Sequence, residues 1–145
     1  MARKKIREYD AKRILAARFA SLFNTQLPIN VAQVDASTDY AALLLLNPWL
    51  AANKLVVKPD MLFGQRGKHN LVGLSLSFAE AKDFIQQRLN KVVTISGCTG
   101  PCTHFIVEPF MPHSQEFYLC ITSNRLDYEI AFSDAGGEEF ASRFF

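Results

Sequence analysis

Residues 54–68 read KLVVKPDMLFGQRGK, and this stretch decides the fold. Its first part, KLVVKP, is an apolar run of strand length that ends at Pro59. A loop with two glycines and several basic side chains follows at residues 60–70. The stretch therefore predicts a strand that places one lysine, Lys58, immediately before a basic glycine loop.

On either side of this strand, the pattern of apolar residues predicts a mixture of helices and strands. Helical spacing predicts helices at 10–23 with Asp10 as N-cap, at 37–46 with Ser37 or Thr38 as N-cap, and at 78–90 with Ser77 as N-cap. Short or alternating apolar runs predict strands at 29–34, 54–59, 71–77, 91–96, 104–110, 116–123 and 128–133. Residues 124–127 read as a hairpin turn, and the whole pattern predicts an α+β fold.

Composition limits the classes of function. The chain has 145 residues, 49% of them hydrophobic, which suits one globular domain or a piece of one. A net charge of +2 argues against a general nucleic-acid binder, and the apolar run at 40–46 is too short to span a membrane. Three cysteines, an odd number, and no apolar signal segment indicate a reducing, cytosolic setting.

Lys58 has two interpretations. A lysine inside an apolar strand is costly to bury unless it is paired. In the structural interpretation, Lys58 reaches solvent on an edge or pairs with Asp60; in the functional one, it meets an anionic ligand. The loop that follows favours the ligand. Glycines such as Gly67 let backbone amides approach a phosphate, and Arg66 can hold two phosphate oxygens at once. The GxxxxGK[ST] pattern of a P-loop is absent.

Two glutamates stand near the later strands. Glu108 interrupts the apolar run FIVEPF, and Glu116 opens EFYLC. At a pocket wall, Glu108 could accept a hydrogen bond from an adenine amino group or a ribose hydroxyl. On an edge strand beside Pro109, it would simply be solvated, and the strand alone leaves both interpretations open.

The cysteines and histidines give weaker signals. Cys98 and Cys102 are spaced four apart without a second pair, so we interpret them as ordinary loop thiols rather than metal ligands. The three histidines lie apart in the sequence, with no serine, aspartate or metal-ligand partner at a recognisable spacing. None is a candidate phosphoryl carrier, and His113 is expected in a turn.

Long stretches of the chain together resemble ATP-citrate lyase. The resemblance runs from ARKKIREYDAKRIL through PWL, KLVVKPDMLFGQRGK, GLSLS and FIVEPFMPHSQEFYLCITSNR to FSDAGG, and leaves only EFASRFF unmatched. It is strongest to the N-terminal part of the plant and algal A-type subunit. More distantly the chain is similar to the β subunit of succinyl-CoA synthetases. This implies a partial ATP-grasp domain, with a mixed or antiparallel sheet flanked by helices, over residues 1–137, and a divergent or truncated tail over 138–145.

The resemblance also implies an ATP site. In these families the lysine matched by Lys58 contacts ATP phosphate, and the loop matched by Gln65, Arg66, Gly67 and Lys68 covers the phosphates. Glu108 would lie at the adenine or hinge end, and Glu116 would face the ribose. The loop from Thr99 to Pro101 would add main-chain contacts to adenine.

The implied reaction uses MgATP to phosphorylate a histidine, forms citryl-CoA from citrate and CoA, and cleaves it to acetyl-CoA and oxaloacetate for lipid biosynthesis in the cytosol. The phosphohistidine and CoA-binding parts would come from a B-type partner subunit in a hetero-oligomer. The Mg²⁺ ligands expected in later parts of the family's sequence are missing from this chain.

Phosphoryl transfer needs a nucleotide clamped between two subdomains and a metal ion. We therefore expect the isolated chain to be incomplete and inactive alone. An alternative is a catalytically inactive, truncated module that binds a nucleotide or a partner. A generic α+β interaction domain is a third reading, which the long motif matches disfavour.

Overall fold

The computed structural model describes residues 5–62, 70–95 and 97–134. The chain divides into two units, Met1–Phe110 and Met111–Phe145, which are described separately. The glycine loop at residues 64–68 and the predicted domain boundary at 137/138 both lie outside the described residues.

The first unit contains four helices and six strands within its described residues. The helices are α1 (Glu8–Phe23), α2 (Tyr40–Leu46), α3 (Trp49–Ala52) and α4 (Phe78–Gln86). The strands are β1 (Ala32–Val34), β2 (Leu55–Pro59), β3 (Gly73–Leu76), β4 (Val92–Ile95), β5 (Cys98–Pro101) and β6 (Phe105–Pro109). No helix in the described ranges is both long and apolar enough to cross a membrane.

Four of these strands form one antiparallel sheet in the order β1-β6-β2-β3. Strands β2 and β6 are therefore interior, and their register pairs Val56 with Glu108 and Lys58 with Ile106. Strands β4 and β5 form a separate hairpin. The predicted α+β class with an antiparallel sheet flanked by helices is confirmed.

The two faces of the four-stranded sheet differ because side chains alternate along each strand. One face is the hydrophobic core, where strand residues pack against α3, α4 and the half-buried side chains of α2: Ala32, Val34, Leu55, Val57, Leu50, Ala81, Ile85, Phe105 and Val107. The opposite face carries Gln33, Val56, Lys58, Ile106 and Glu108. This alternation directs the strand lysine away from the core.

The predicted starts and N-caps of two helices were wrong. Helix α1 begins at Glu8, and its N-cap is Arg7 rather than Asp10. Helix α2 begins at Tyr40 because the carboxylate of Asp39, not a hydroxyl of Ser37 or Thr38, accepts the first free amide N–H groups.

The segment around the first two cysteines also differs from the prediction. Both are free thiols, but Cys98 begins strand β5 instead of lying in a loop, and Cys102, in the segment between β5 and β6, is fully buried in the core. A strand was missed here because a run of Thr, Gly and Pro has low strand propensity. Its pairing with β4 across a tight turn at Gly97 overrides that propensity.

The second unit is described as one antiparallel hairpin of β7 (Tyr118–Ser123) and β8 (Tyr128–Ser133). The amide of Asn124 donates to the carbonyl of Asp127, which confirms the predicted turn. One face of the hairpin is apolar and exposed, and it includes Leu119, Ile121, Ile130 and Phe132. A lone two-stranded hairpin has marginal stability in water.

The N-terminus of α4 provides a direct test of the predicted cap. The hydroxyl of Ser77 accepts from the amide of Glu80, whose carboxylate accepts from the amide of Ser77 in return. We expect Ser77→Ala to lower the free energy of unfolding by about 1 kcal/mol in urea denaturation. Exposed Gln86, replaced by alanine at the other end of the same helix, should change it by less than about 0.5 kcal/mol. Equal effects of the two changes would contradict this role of Ser77.

Candidate functional site

Lys58 lies on β2, an interior strand, and points to the sheet face opposite the core. Two expectations are therefore corrected. Lys58 is not on a solvated edge, and its ammonium is paired with glutamates rather than with Asp60. Glu108 also lies on an interior strand, so its reading as an edge-strand glutamate is wrong. The two residues are diagonal neighbours on one face, within reach of each other's side chains.

Two further side chains from α1 complete a ring of four alternating charges, which we call the charge ring: Lys58, Glu8, Lys12 and Glu108. Lys58 Nζ lies 2.6 Å from Glu8 Oε1 and 2.9 Å from Glu108 Oε2. Lys12 Nζ lies 2.8 Å from the same Glu8 oxygen and also contacts Glu108 Oε1. Each lysine therefore has two carboxylate partners, and the formal charge of the ring is zero.

The charge ring is only partly open to solvent, since its side chains are between 17% and 29% exposed. Burial by itself would lower the pKa of Lys12. Hydrogen bonds to Glu108 and Glu8, together with their negative charges, outweigh burial, and the pKa of Lys12 lies above its ordinary value. At this degree of burial, loss of one partner leaves a partly desolvated charge, which costs more than breaking an exposed surface pair.

Asp60 is fully buried and fixes α1 to the end of β2. Its Oδ1 accepts from the backbone amides of Glu8 at 2.9 Å and Tyr9 at 3.4 Å. Its Oδ2 accepts from the side-chain amide of Gln33 at 3.1 Å. The carboxylate thus caps the N-terminus of a helix from 51 to 52 residues away in sequence, which explains why α1 needs no local cap.

Three residues of this site were missed by sequence reasoning. Glu8 and Lys12 gave one usable signal, an acidic–basic pair four residues apart in the first turn of a helix. That spacing suggests only a local pair, and contact with β2 and β6 depends on the tertiary fold. Asp60 stood beside Pro59 and was considered only as a partner for Lys58. Its role as a distant helix cap leaves no pattern in the sequence.

Among the other predicted residues of the first unit, the two that the structure describes, Thr99 and Pro101, do not join the charge ring. Gln65, Arg66 and Gly67 lie outside the described residues. Thr99 and Pro101 lie on strand β5 rather than in a loop, and both are exposed. The Thr99 hydroxyl lies 2.8 Å from that of Thr94 on β4.

Glu116 belongs to the second unit, just before β7, and is exposed. Its Oε1 lies 2.6 Å from His113 Nε2, while His113 Nδ1 lies 2.9 Å from the carbonyl oxygen of Met111. Both ring nitrogens therefore face acceptors, which the protonated imidazolium satisfies. The Met111 carbonyl first, and then the Glu116 carboxylate, raise the pKa of His113 above its ordinary value.

The described residues do not fit a Mg²⁺ site. Within the described ranges, no three His, Cys, Asp or Glu side chains converge as metal ligands would. Two carboxylates do approach one another in the charge ring, but lysines neutralise both. We therefore assign no metal ligand to this part of the chain.

Comparison with known proteins defines first the class and then the family. Residues 2–142 match the family model of the ATP-citrate synthase ATP-grasp domain. The sheet flanked by helices, with Lys58 on a strand before the glycine loop, is therefore part of an ATP-grasp domain. The chain therefore belongs to the ATP-citrate synthase family.

Individual relatives agree with this assignment. The chain is 56% identical to ATP-citrate synthase alpha chain protein 2 of Arabidopsis thaliana over 94% of its length, and 39% identical to human ATP-citrate synthase over the same share. Among solved structures, it is similar to ATP citrate lyase from Methanothrix soehngenii in complex with citrate and coenzyme A. That match has a TM-score of 0.81 and 42% identity over 94% of this chain.

The chain spans only part of these proteins. It covers 32% of the Arabidopsis chain, 13% of the human chain and 33% of the Methanothrix chain. What it has in common with them is the ATP-grasp region.

The role of Asp60 predicts a graded mutational effect. Asp60→Ala leaves two helix amides and the Gln33 amide without an acceptor in a buried place, so we expect a loss of about 2–4 kcal/mol in the free energy of unfolding. Asp60→Asn keeps one acceptor for the helix and should cost less. Asp83→Ala, an exposed change on α4, should have almost no effect. Equal stability of all three variants in denaturant titrations would contradict the capping role.

The His113–Glu116 pair predicts a change in titration. A raised folded-state pKa means that the protonated form contributes stability below the ordinary histidine pKa, and that this contribution is lost as pH rises through the raised pKa. Glu116→Gln should lower the pKa of His113, followed by NMR of its ring protons. Glu129→Gln, which removes a charge from β8, should leave it near the wild-type value. A His113 pKa unchanged by Glu116→Gln would refute the pairing.

Proposed function

We propose that this chain is the ATP-binding portion of an ATP-citrate lyase, and that Lys58 is its phosphate-contacting residue. The observation that supports this most strongly is the position of Lys58. It is a lysine on an interior strand of an ATP-grasp domain, it points away from the core, and it precedes the glycine loop by only a few residues. A lysine there brings a compact positive charge to a ligand held against the sheet.

The other ATP contacts proposed here follow the same arrangement. Gln65, Arg66 and Gly67 would cover the phosphates, with backbone amides and a guanidinium as donors. Glu108 would face the adenine or hinge end, and its diagonal position beside Lys58 supports a role in orienting that lysine. Glu116, Thr99 and Pro101 are proposed contacts to the ribose and adenine.

We further propose the family reaction for the complete enzyme: acetyl-CoA and oxaloacetate from citrate, CoA and ATP, in the cytosol. The similarity to plant alpha chains supports a hetero-oligomer in which a B-type subunit carries the phosphohistidine and the CoA-binding parts. Mg²⁺ would accompany ATP, held by residues beyond those described. In the proposed domain division, residues 1–137 belong to the ATP-grasp domain and 138–145 form a tail.

A catalytically inactive nucleotide- or partner-binding module is the second candidate. In it, the chain would bind a nucleotide or a partner without turnover. Both candidates include an ATP site at Lys58, so a binding measurement tests what they share.

Titration of ATP into the 145-residue chain tests the phosphate contacts. We expect Lys58→Ala to weaken ATP binding by about tenfold or more, because a charge-assisted hydrogen bond to phosphate is lost. Arg66→Ala should weaken it similarly. Calorimetry or fluorescence competition would measure both.

A matched variant controls for net charge. Lys82→Ala removes a basic side chain of α4, a helix that packs on the core face of the sheet, opposite Lys58, and should change ATP affinity less than about twofold. If Lys58→Ala and Arg66→Ala bind ATP as well as this control does, the phosphate role is wrong.

A further inference from the structure

The charge ring places a carboxylate where Lys58 would meet a phosphate. A lysine ammonium has three N–H donors, and here two of them face Glu8 Oε1 at 2.6 Å and Glu108 Oε2 at 2.9 Å. Two glutamates thus hold the ammonium in the way that oxygens of a phosphate would. Any anionic ligand of Lys58 must share it with both carboxylates or displace one of them.

The two carboxylates differ in how firmly they are fixed. Glu108 is on β6, hydrogen-bonded directly to β2, so the sheet register holds it beside Lys58. Glu8 comes from α1, a helix with no buried side chain. Its first turns make polar contacts with the sheet, to Asp60 and within the charge ring. Glu8 is therefore the partner of Lys58 that can be displaced at lower cost.

Displacement of Glu8 leaves its charge compensated. Its Oε1 already lies 2.8 Å from Lys12 Nζ, one turn along the same helix. Lys12 also contacts Glu108, so it can balance either carboxylate when Lys58 turns to a ligand. The arrangement provides a second cation for the carboxylate that Lys58 would release.

From this geometry we propose that Glu8 competes with nucleotide phosphate for Lys58, so that the first turn of α1 sets the ATP affinity of the site. The inference rests on the proposed phosphate role of Lys58. While Glu8 is in place, the ring is neutral, and an approaching triphosphate meets a carboxylate beside the lysine. Repulsion between two anions a few ångströms apart lowers the affinity, and salt screens part of it.

Neutralising Glu8 without changing its shape tests this directly. In calorimetric titrations of ATP into the 145-residue chain, we expect Glu8→Gln to bind about three- to tenfold more tightly than wild type. The difference should shrink in high salt. Asp10→Asn removes one carboxylate from the same helix turn, beside Arg7 instead of Lys58, and should change affinity less than about twofold.

A double variant separates competition for Lys58 from a general change in charge. In a Lys58→Ala background, Glu8→Gln should no longer tighten ATP binding, because the group for which the two anions compete is gone. Glu8→Asp offers a second route that keeps the helix charge but shortens the carboxylate by one methylene. It should bind ATP with an affinity between those of wild type and Glu8→Gln, and circular dichroism would verify that each variant folds.

The outcomes distinguish a failure of this inference from a failure of the proposed phosphate role of Lys58. If Lys58→Ala weakens binding but Glu8→Gln leaves it unchanged or weaker, Glu8 positions the lysine rather than competing for it, and only this inference fails. Tightening that persists in the Lys58→Ala background also overturns it. If Lys58→Ala itself has no effect, or neither wild type nor Glu8→Gln binds ATP, the phosphate role of Lys58 and this inference both fail.

Discussion

The ammonium of Lys58 sits on an interior strand, and much of the site follows from the need to compensate its charge. A lysine in the middle of a four-stranded sheet cannot reach open solvent as an edge residue would, so it requires partners nearby. Glu108 is provided by the neighbouring strand through the sheet register. Glu8 is provided by a helix that begins 50 residues earlier in the sequence. The compensation of one charge therefore ties three separate elements together.

Helix α1 shows how polar contacts can position an element that the hydrophobic core does not hold. None of its side chains is buried, and several of its apolar side chains, among them Ile14, Leu15, Leu22 and Phe23, are exposed. Asp60 caps its N-terminus from the end of β2, and Glu8 and Lys12 join the charge ring. The site therefore depends on this helix through polar contacts.

The sequence was sufficient for the elements whose signal is local. The run from Leu55 to Pro59, the Ser77 cap of α4 and the final hairpin all follow from residue spacing and turn chemistry, and the structure confirms them. The hairpin partner β5 was missed because its stability comes from pairing with β4 rather than from its own composition. The N-cap prediction for α1 was wrong because the acceptor there, Asp60, is distant in sequence.

The site was predictable only in part. Lys58 and Glu108 are recognisable in the sequence because each is a charged residue inside an apolar strand. The family resemblance predicts that both contact a nucleotide. Their mutual contact needs the β2–β6 register, which sequence spacing does not supply. Glu8 and Lys12 look like an ordinary exposed helix pair until the fold places them over Lys58. Sequence reasoning thus identified the cation and one of its partners, and missed the two α1 residues that join them.

A crystal structure of this chain with a non-hydrolysable ATP analogue tests the central claim most directly. The account predicts a phosphate oxygen within about 3 Å of Lys58 Nζ, with Glu108 still beside the lysine and Glu8 turned toward Lys12. A nucleotide bound elsewhere, with Lys58 still held by Glu8 and Glu108 as in the charge ring, would contradict it.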